Sequence, residues 1–159
     1  ANSSTHQKQS YSNTDRVVNT DNLLRGRAAA HSKDIICGDL AMHLDLIATG
    51  GRDRKVRIWD YERIQSQDEN SDVGPSCAHT EEVTLVKFIK PFPLLITTDI
   101  SGQLYIWITK PHKEHGTCML SWRNAFTLKK NCPITAIDTF YEKDKFYMIV
   151  GDEMGNVRV

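Results

Sequence analysis

The sequence predicts an all-β chain of antiparallel strands built from one repeated unit, and three observations carry that prediction. Residues 47–60 read as two short apolar strands that break at Gly50-Gly51 and turn through Arg52-Asp53-Arg54, the pattern of a β-hairpin. A second copy spans residues 95–108, with Thr49 and Thr97, and likewise Trp59 and Trp107, standing 48 positions apart. A third, residues 148–159, repeats the hairpin and stops where its Trp would fall. His31 and His79 are also 48 positions apart, so the period holds at an independent landmark, and periods of this size mark repeat architectures.

Taken in order, residues 1–21 are rich in Ser, Thr, Asn, Gln and Asp. They bury too little apolar surface to offset ordering entropy, which predicts a polar linker or tail. Residues 22–30, with Leu23-Leu24, are read as an outer strand of a preceding unit. The first repeat covers residues 31–78. Ile35, Ile36, Cys37 and Leu40 suggest strand a, residues 44–49 strand b and residues 55–60 strand c. In strand c, Val56 and Ile58 oppose Trp59, as expected for a sheet apolar on both faces and held between neighbours. Residues 65–72 form an acidic rim loop. Asp68, Asn70 and Asp72 alternate like calcium ligands, but Val73 and His79 stand where that loop needs Gly and Glu.

The second repeat covers residues 79–127. Strand a is residues 83–88, and Pro91-Phe92-Pro93 makes a turn that cannot lie inside a central strand. Strand b follows at 94–98, strand c at 104–108 and an outer strand at 118–127. The third repeat, residues 128–159, is incomplete. Residues 133–137 match strand a without a preceding His, and Val150 replaces Thr49 and Thr97 in strand b. Met154 stands at the position of Asp53, and residues 142–145 are read as a lengthened a–b turn.

Composition narrows the function. Of 159 residues, 40% are hydrophobic and 25% charged, and 20 basic residues balance 20 acidic ones. This predicts a globular chain and argues against a broad nucleic-acid surface, which needs a basic excess. No apolar run reaches the roughly 20 residues that span a bilayer, and the first residues lack a secretory pattern. The four cysteines, Cys37, Cys77, Cys118 and Cys132, contain no CxxC pair and are read as reduced thiols of an intracellular, cytoplasmic protein.

The repeats resemble the WD-repeat family of β-propellers. Its motifs are a His ahead of strand a, a hydroxyl residue late in strand b, an Asp in the b–c turn and Trp-Asp closing strand c. His31, Thr49, Asp53, Trp59 and Asp60 match all of them. The resemblance implies a partial β-propeller of four-stranded blades, about two and a half of them, from a closed ring that protects its edge strands. Open blade faces would then be covered by the remaining blades of the same protein or by self-association.

The resemblance also implies two structural tetrads, His31, Thr49, Asp53 and Trp59 in one blade and His79, Thr97, Ser101 and Trp107 in the next. Ser101 is neutral, so the second tetrad is expected to be weaker by about 1 kcal/mol; Asp99, two residues earlier, is not read as its replacement. A hydrolytic use of His31, Thr49 and Asp53 would need an exposed oxyanion site, and no Gly-rich elbow supplies one. His112, His115 and Cys118 have zinc-compatible types at i, i+3 and i+6, but a closed site needs a fourth ligand. No nucleotide, dinucleotide or metalloprotease motif is present, so neither a cofactor nor an enzymatic activity is expected.

What remains is binding to other proteins. In the family, partners dock on the narrow face made by the b–c turns and the entries into strand a. By position these are Arg52, Ile100 and Glu153 from the turns, and Asp34, Ile36, Glu82, Thr84 and Thr135 from the entries. The expected function is a non-catalytic scaffold in an intracellular assembly. Residues 47–60 and 97–107 look most like long WD-repeat proteins of cilia and flagella, which implies an axonemal partner and a cytoskeletal location. The alternatives are a receptor that reads a short or modified peptide, and an accessory propeller of an enzyme whose catalytic domain lies elsewhere.

Overall fold

The structure, a computed structural model, describes residues 31–65, 77–111, 118–127 and 131–159. Among them lie three antiparallel sheets that follow one another along the chain. The first contains β1 (Ile35–Ala41), β2 (Leu46–Gly51), β3 (Lys55–Asp60) and β4 (Cys77–Ala78), with the one-turn helix α1 (Tyr61–Gln65) after β3. The second contains β5 (Val83–Ile89), β6 (Leu94–Asp99), β7 (Gln103–Pro111) and β8 (Cys118–Thr127). The third contains β9 (Ile134–Glu142), β10 (Lys145–Asp152) and β11 (Val157–Arg158). Each is an up-and-down meander in sequence order, and together they make a partial β-propeller with no sheet closed on itself.

Alternation within the strands accounts for the stacking. Val56, Ile58 and Ala48 of the first sheet bury against Val83, Val86, Phe88 and Leu95 of the second. The other face of the second sheet presents Ile89, Ile96 and Leu104 to Ile134 and Val150 of the third. The middle blade is thus apolar on both sides, and a sheet covered on both faces requires that pattern. Gly50 permits the first of these contacts, because a Cβ there would stand 2.5 Å from Val83 Cγ1 and 2.8 Å from Cys37 Sγ. Burial also pushes the Cys37 thiol up to about 11, leaving it a core side chain in place of a nucleophile.

Strand a carries one irregularity in every blade. The register slips between Ile35 and Cys37, between Val83 and Leu85, and between Ile134 and Ala136 opposite Asp152 and Gly151. Ile36, Thr84 and Thr135 are the extra residues, and a β-bulge of this kind re-aims a side chain at the rim of a sheet.

The third blade corrects one expectation. Residues 142–145 are not a lengthened turn: Glu142 pairs with Lys145 across a two-residue connection. Lys143 and Asp144 have φ of 49° and 61°, the left-handed pair that a type I′ hairpin requires. The extra length lies in the strands, nine residues in β9 and eight in β10, against seven and six in β5 and β6. Residues 1–30 and 66–76, the latter holding all but the first residue of the acidic stretch 65–72, lie outside the described residues.

Candidate interaction surface and its anchors

The surface begins with what fixes its turns. In the first blade, His31 Nδ1 lies 2.8 Å from Asp53 Oδ1 and His31 Nε2 lies 2.9 Å from Thr49 Oγ1. Trp59 Nε1 donates to the same Thr49 oxygen at 2.9 Å. One proton arrangement satisfies every atom: Nδ1–H donates to the carboxylate, and the Thr hydroxyl donates to Nε2 while accepting from the indole. Asp53 also accepts from the backbone N–H groups of Ser32 and Lys55. Burial works against its charge, but the His31, Ser32 and Lys55 hydrogen bonds outweigh that and hold its carboxyl below the ordinary value.

The second blade builds the same circuit from a different position. His79 Nε2 lies 2.8 Å from Thr97 Oγ1, to which Trp107 Nε1 donates at 2.8 Å. The carboxylate at His79 Nδ1 is Asp99, at 3.0 Å. Ser101 does not occupy the acceptor position: its hydroxyl donates to Asp99 Oδ1 at 2.6 Å. Register explains the substitution. Asp99 follows Thr97 by two positions, where Gly51 follows Thr49, and a Cβ at Gly51 would stand 2.9 Å from His31 Nδ1. That end of strand b thus faces the imidazole, and in the second blade Asp99 brings its carboxylate there without crossing the turn. Burial opposes the charge of Asp99, and the His79, Ser101 and Gln103 hydrogen bonds overcome it, so its carboxyl too is held down. Tyr105 closes the pocket, edge-on to His79 at 4.7 Å and stacked on Trp107 at 5.6 Å.

The third blade has no His at the equivalent place, yet its turn is anchored. Asp152 Oδ1 accepts from the backbone N–H groups of Met154 and Asn156, both at 3.0 Å. Arg158 Nη1 meets Oδ2 at 3.0 Å. These bonds, the Asn156 backbone N–H foremost, hold the Asp152 carboxyl below its ordinary value. At the level of sequence Asp99 was set aside and neither Asp152 nor Arg158 was read as an anchor, although a signal was present. Asp99-Ile-Ser-Gly102 and Asp152-Glu-Met-Gly155 share Asp at the first and Gly at the fourth position, the preference of a tight turn. Gly102 and Gly155 have φ of 82° and 80°. The first blade places Arg54 there at φ 65°, a left-handed conformation costly for a side chain.

The anchored turns present a row of equivalent residues. Backbone N–H groups of Arg52, Ile100 and Glu153 donate to the carbonyls of Asp34, Glu82 and Pro133 at 2.9, 3.0 and 3.0 Å. Each turn tip is thereby tied to the entry of its own strand a. Arg52 Nη1 reaches Asp34 Oδ2 at 3.2 Å, and Arg52 Nε approaches Glu82 Oε2 of the next blade at 3.8 Å. These groups are well exposed, so the pairs shape a surface and add little stability. Ile36 and Ile100 are 47% and 40% exposed. Thr135 is exposed and donates to the Gly151 carbonyl at 3.3 Å, while Thr84 turns inward to Thr98 at 2.7 Å. Thr84 is the candidate least available to a partner.

His112 and His115, weighed from sequence as metal ligands and set aside for want of a fourth, lie outside the described residues; Cys118 opens β8. Among the described residues there is no group of three His, Cys, Asp or Glu side chains that could hold a metal ion, and no helix is long and apolar enough to cross a membrane.

Comparison with known proteins gives the fold and no more. No protein-family model matches the sequence, and no curated protein matches it. Among solved structures, the chain is similar to Saccharomyces cerevisiae Sqt1, a WD40 β-propeller protein, with a TM-score of 0.54 and 16% identity. The likeness covers 80% of this chain and 34% of that one.

Proposed function

We propose that this chain is a non-catalytic scaffold segment that binds other proteins in an intracellular assembly, through the end of the blades that carries Arg52, Ile100 and Glu153. The observation that carries the reading is the row of equivalent, backbone-tied turn tips with an exposed isoleucine between charged neighbours. Apolar anchors rimmed by charge are a common composition of protein interfaces. The threonines support a non-enzymatic role, since each hydroxyl that meets an imidazole also accepts a tryptophan indole N–H, and His79 and Thr97 are buried. Likeness to a WD40 propeller supports protein partners.

The finer reading is an axonemal strut. Affinity capture of the full-length protein from source cells, with partners identified by mass spectrometry, tests it. Recovery of tubulin and axonemal proteins is expected, with retention in an Ile100→Asp variant reduced only modestly, because a strut spreads its contacts. A single soluble complex whose recovery collapses in both Ile100→Asp and Arg52→Glu would replace the strut with a receptor for a short peptide. Capture unaffected by either change, or by Glu153→Lys, would remove this end of the blades from the binding surface.

A further inference from the structure

At the opposite end of the strands, the a–b turns of the first two blades enclose a groove of about 280 Å³ lined by Met42, His43, Lys90 and Pro91. Met42 is 56% exposed, and the His43 ring is held across the blade boundary, Nε2 lying 3.4 Å from the Phe92 carbonyl. Lys90 also borders a second cavity of about 170 Å³, formed with Asp39, Lys87, Phe88, Asp138 and Thr139. Asp39, Lys87 and Asp138 are equivalent positions of the three a strands, each paired one residue ahead of the Thr49, Thr97 and Val150 positions. Their charges are already engaged: Lys87 Nζ lies 3.6 Å from Asp138, and Asp39 accepts the Phe88 backbone N–H at 2.8 Å. Lys90 is different. It is exposed and makes no ion pair among the described residues.

From this placement we infer a second binding site, at which the Met42–Pro91 groove takes one apolar side chain of a partner protein and Lys90 takes the carboxylate beside it. The occupant is a short acidic segment with an aliphatic or aromatic anchor. The groove's lining carries a cation and an imidazole and no anion, so it favours an acidic neighbour over a basic one. A volume of this size accommodates a single large side chain and falls below that of an enclosed small-molecule pocket. The site lies at the other end of β2 and β6 from Arg52 and Ile100 and shares no residue with that surface.

Methyl-selective NMR on the full chain tests the inference, because Met42 is observable and Met148 and Met154 serve as internal references. The probes are capped peptides in which Leu, Ile, Met, Phe or Tyr precedes Asp or Glu, each matched by its Asn or Gln counterpart. Saturable movement of the Met42 methyl is expected with acidic peptides, weakened at least about fivefold by the amide counterparts and by Lys90→Glu. Lys90→Met keeps the stem and removes the charge, and should weaken binding in the same direction. Ile100→Asp should leave it unchanged, which separates this site from the reading above. No Met42 response to any peptide overturns the inference, as does equal binding of acid and amide forms. A response to inorganic phosphate or to vesicles of anionic lipid with none to peptides would make Lys90 a simple anion site.

Discussion

The first and second blades reach the same hydrogen-bonded circuit from different positions in the chain. His31 meets a carboxylate that has come round the turn from Asp53, and His79 meets one that stays at the end of its strand in Asp99. The difference is one of burial and connection. Asp99 accepts from His79, from the Ser101 hydroxyl and from the Ser101 and Gln103 backbone N–H groups. Asp53 accepts from His31 and from two backbone N–H groups. What the fold requires is therefore an oxygen at a point in space, and two sequence positions can supply it. The circuit with Ser101 at the turn is the more deeply buried of the two.

The largest effect that can break this comparison is removal of the carboxylates. Asp99→Ala should cost about 3 kcal/mol, since it strands a buried donor in a satisfied network. Asp53→Ala should cost about 2 kcal/mol, and Ser101→Ala less than about 1 kcal/mol. Urea midpoints of the three variants give the order; Ser101→Ala matching Asp53→Ala would reinstate Ser101 as the anchor. Acid comes next. The Asp53, Asp99 and Asp152 carboxyls are all held below their ordinary value when folded. Each therefore binds fewer protons folded than unfolded, and its contribution is complete above the unfolded value of about 3.9. It is lost as pH falls through the folded value. The urea midpoint should hold from pH 7 to pH 5 and drop below about pH 4, with a shallower drop in Asp99→Asn.

Transplanting the second arrangement into the first blade sharpens the comparison further. Gly51→Asp should destabilise by about 1–2 kcal/mol through overpacking, because its Cβ would stand 2.9 Å from the Asp34 carbonyl and 3.1 Å from Asp53 Oδ1. Adding Asp53→Ser should recover part of that loss, a coupling that a double-mutant cycle reads directly. Strictly additive losses would mean that the two positions do not compete for one place. The smallest effect belongs to the turn itself. Arg54→Gly relieves a left-handed side chain and loses the 3.4 Å bond from Arg54 to the Thr80 carbonyl. A gain of a few tenths of a kcal/mol is expected, visible as a slightly raised Tm.

Sequence reading recovered the strands because alternation and period are local properties. Residues 55–60 and 118–127, read as strands, are β3 and β8. It also located His31, Thr49, Trp59 and their counterparts, since those stand at fixed offsets. It failed where reach in three dimensions decides the partner. Asp99 and Asp152 stand two positions ahead of the motif position, and only the backbone path shows that their oxygens arrive. The turn at Lys143-Asp144 was misjudged for a related reason: two charged residues conceal a conformation usually marked by Asn-Gly. The bulges at Ile36, Thr84 and Thr135 are invisible to alternation, because each is a slip of one residue in an otherwise regular strand.

Gly51 shows how one residue choice in a blade constrains another. A Cβ there would meet the Asp34 carbonyl and His31 Nδ1 at 2.9 Å and Asp53 Oδ1 at 3.1 Å. With the carboxylate delivered from the turn, the end of strand b has no room for a side chain of its own. An anchor carried at Asp53 thus reserves its strand end for glycine.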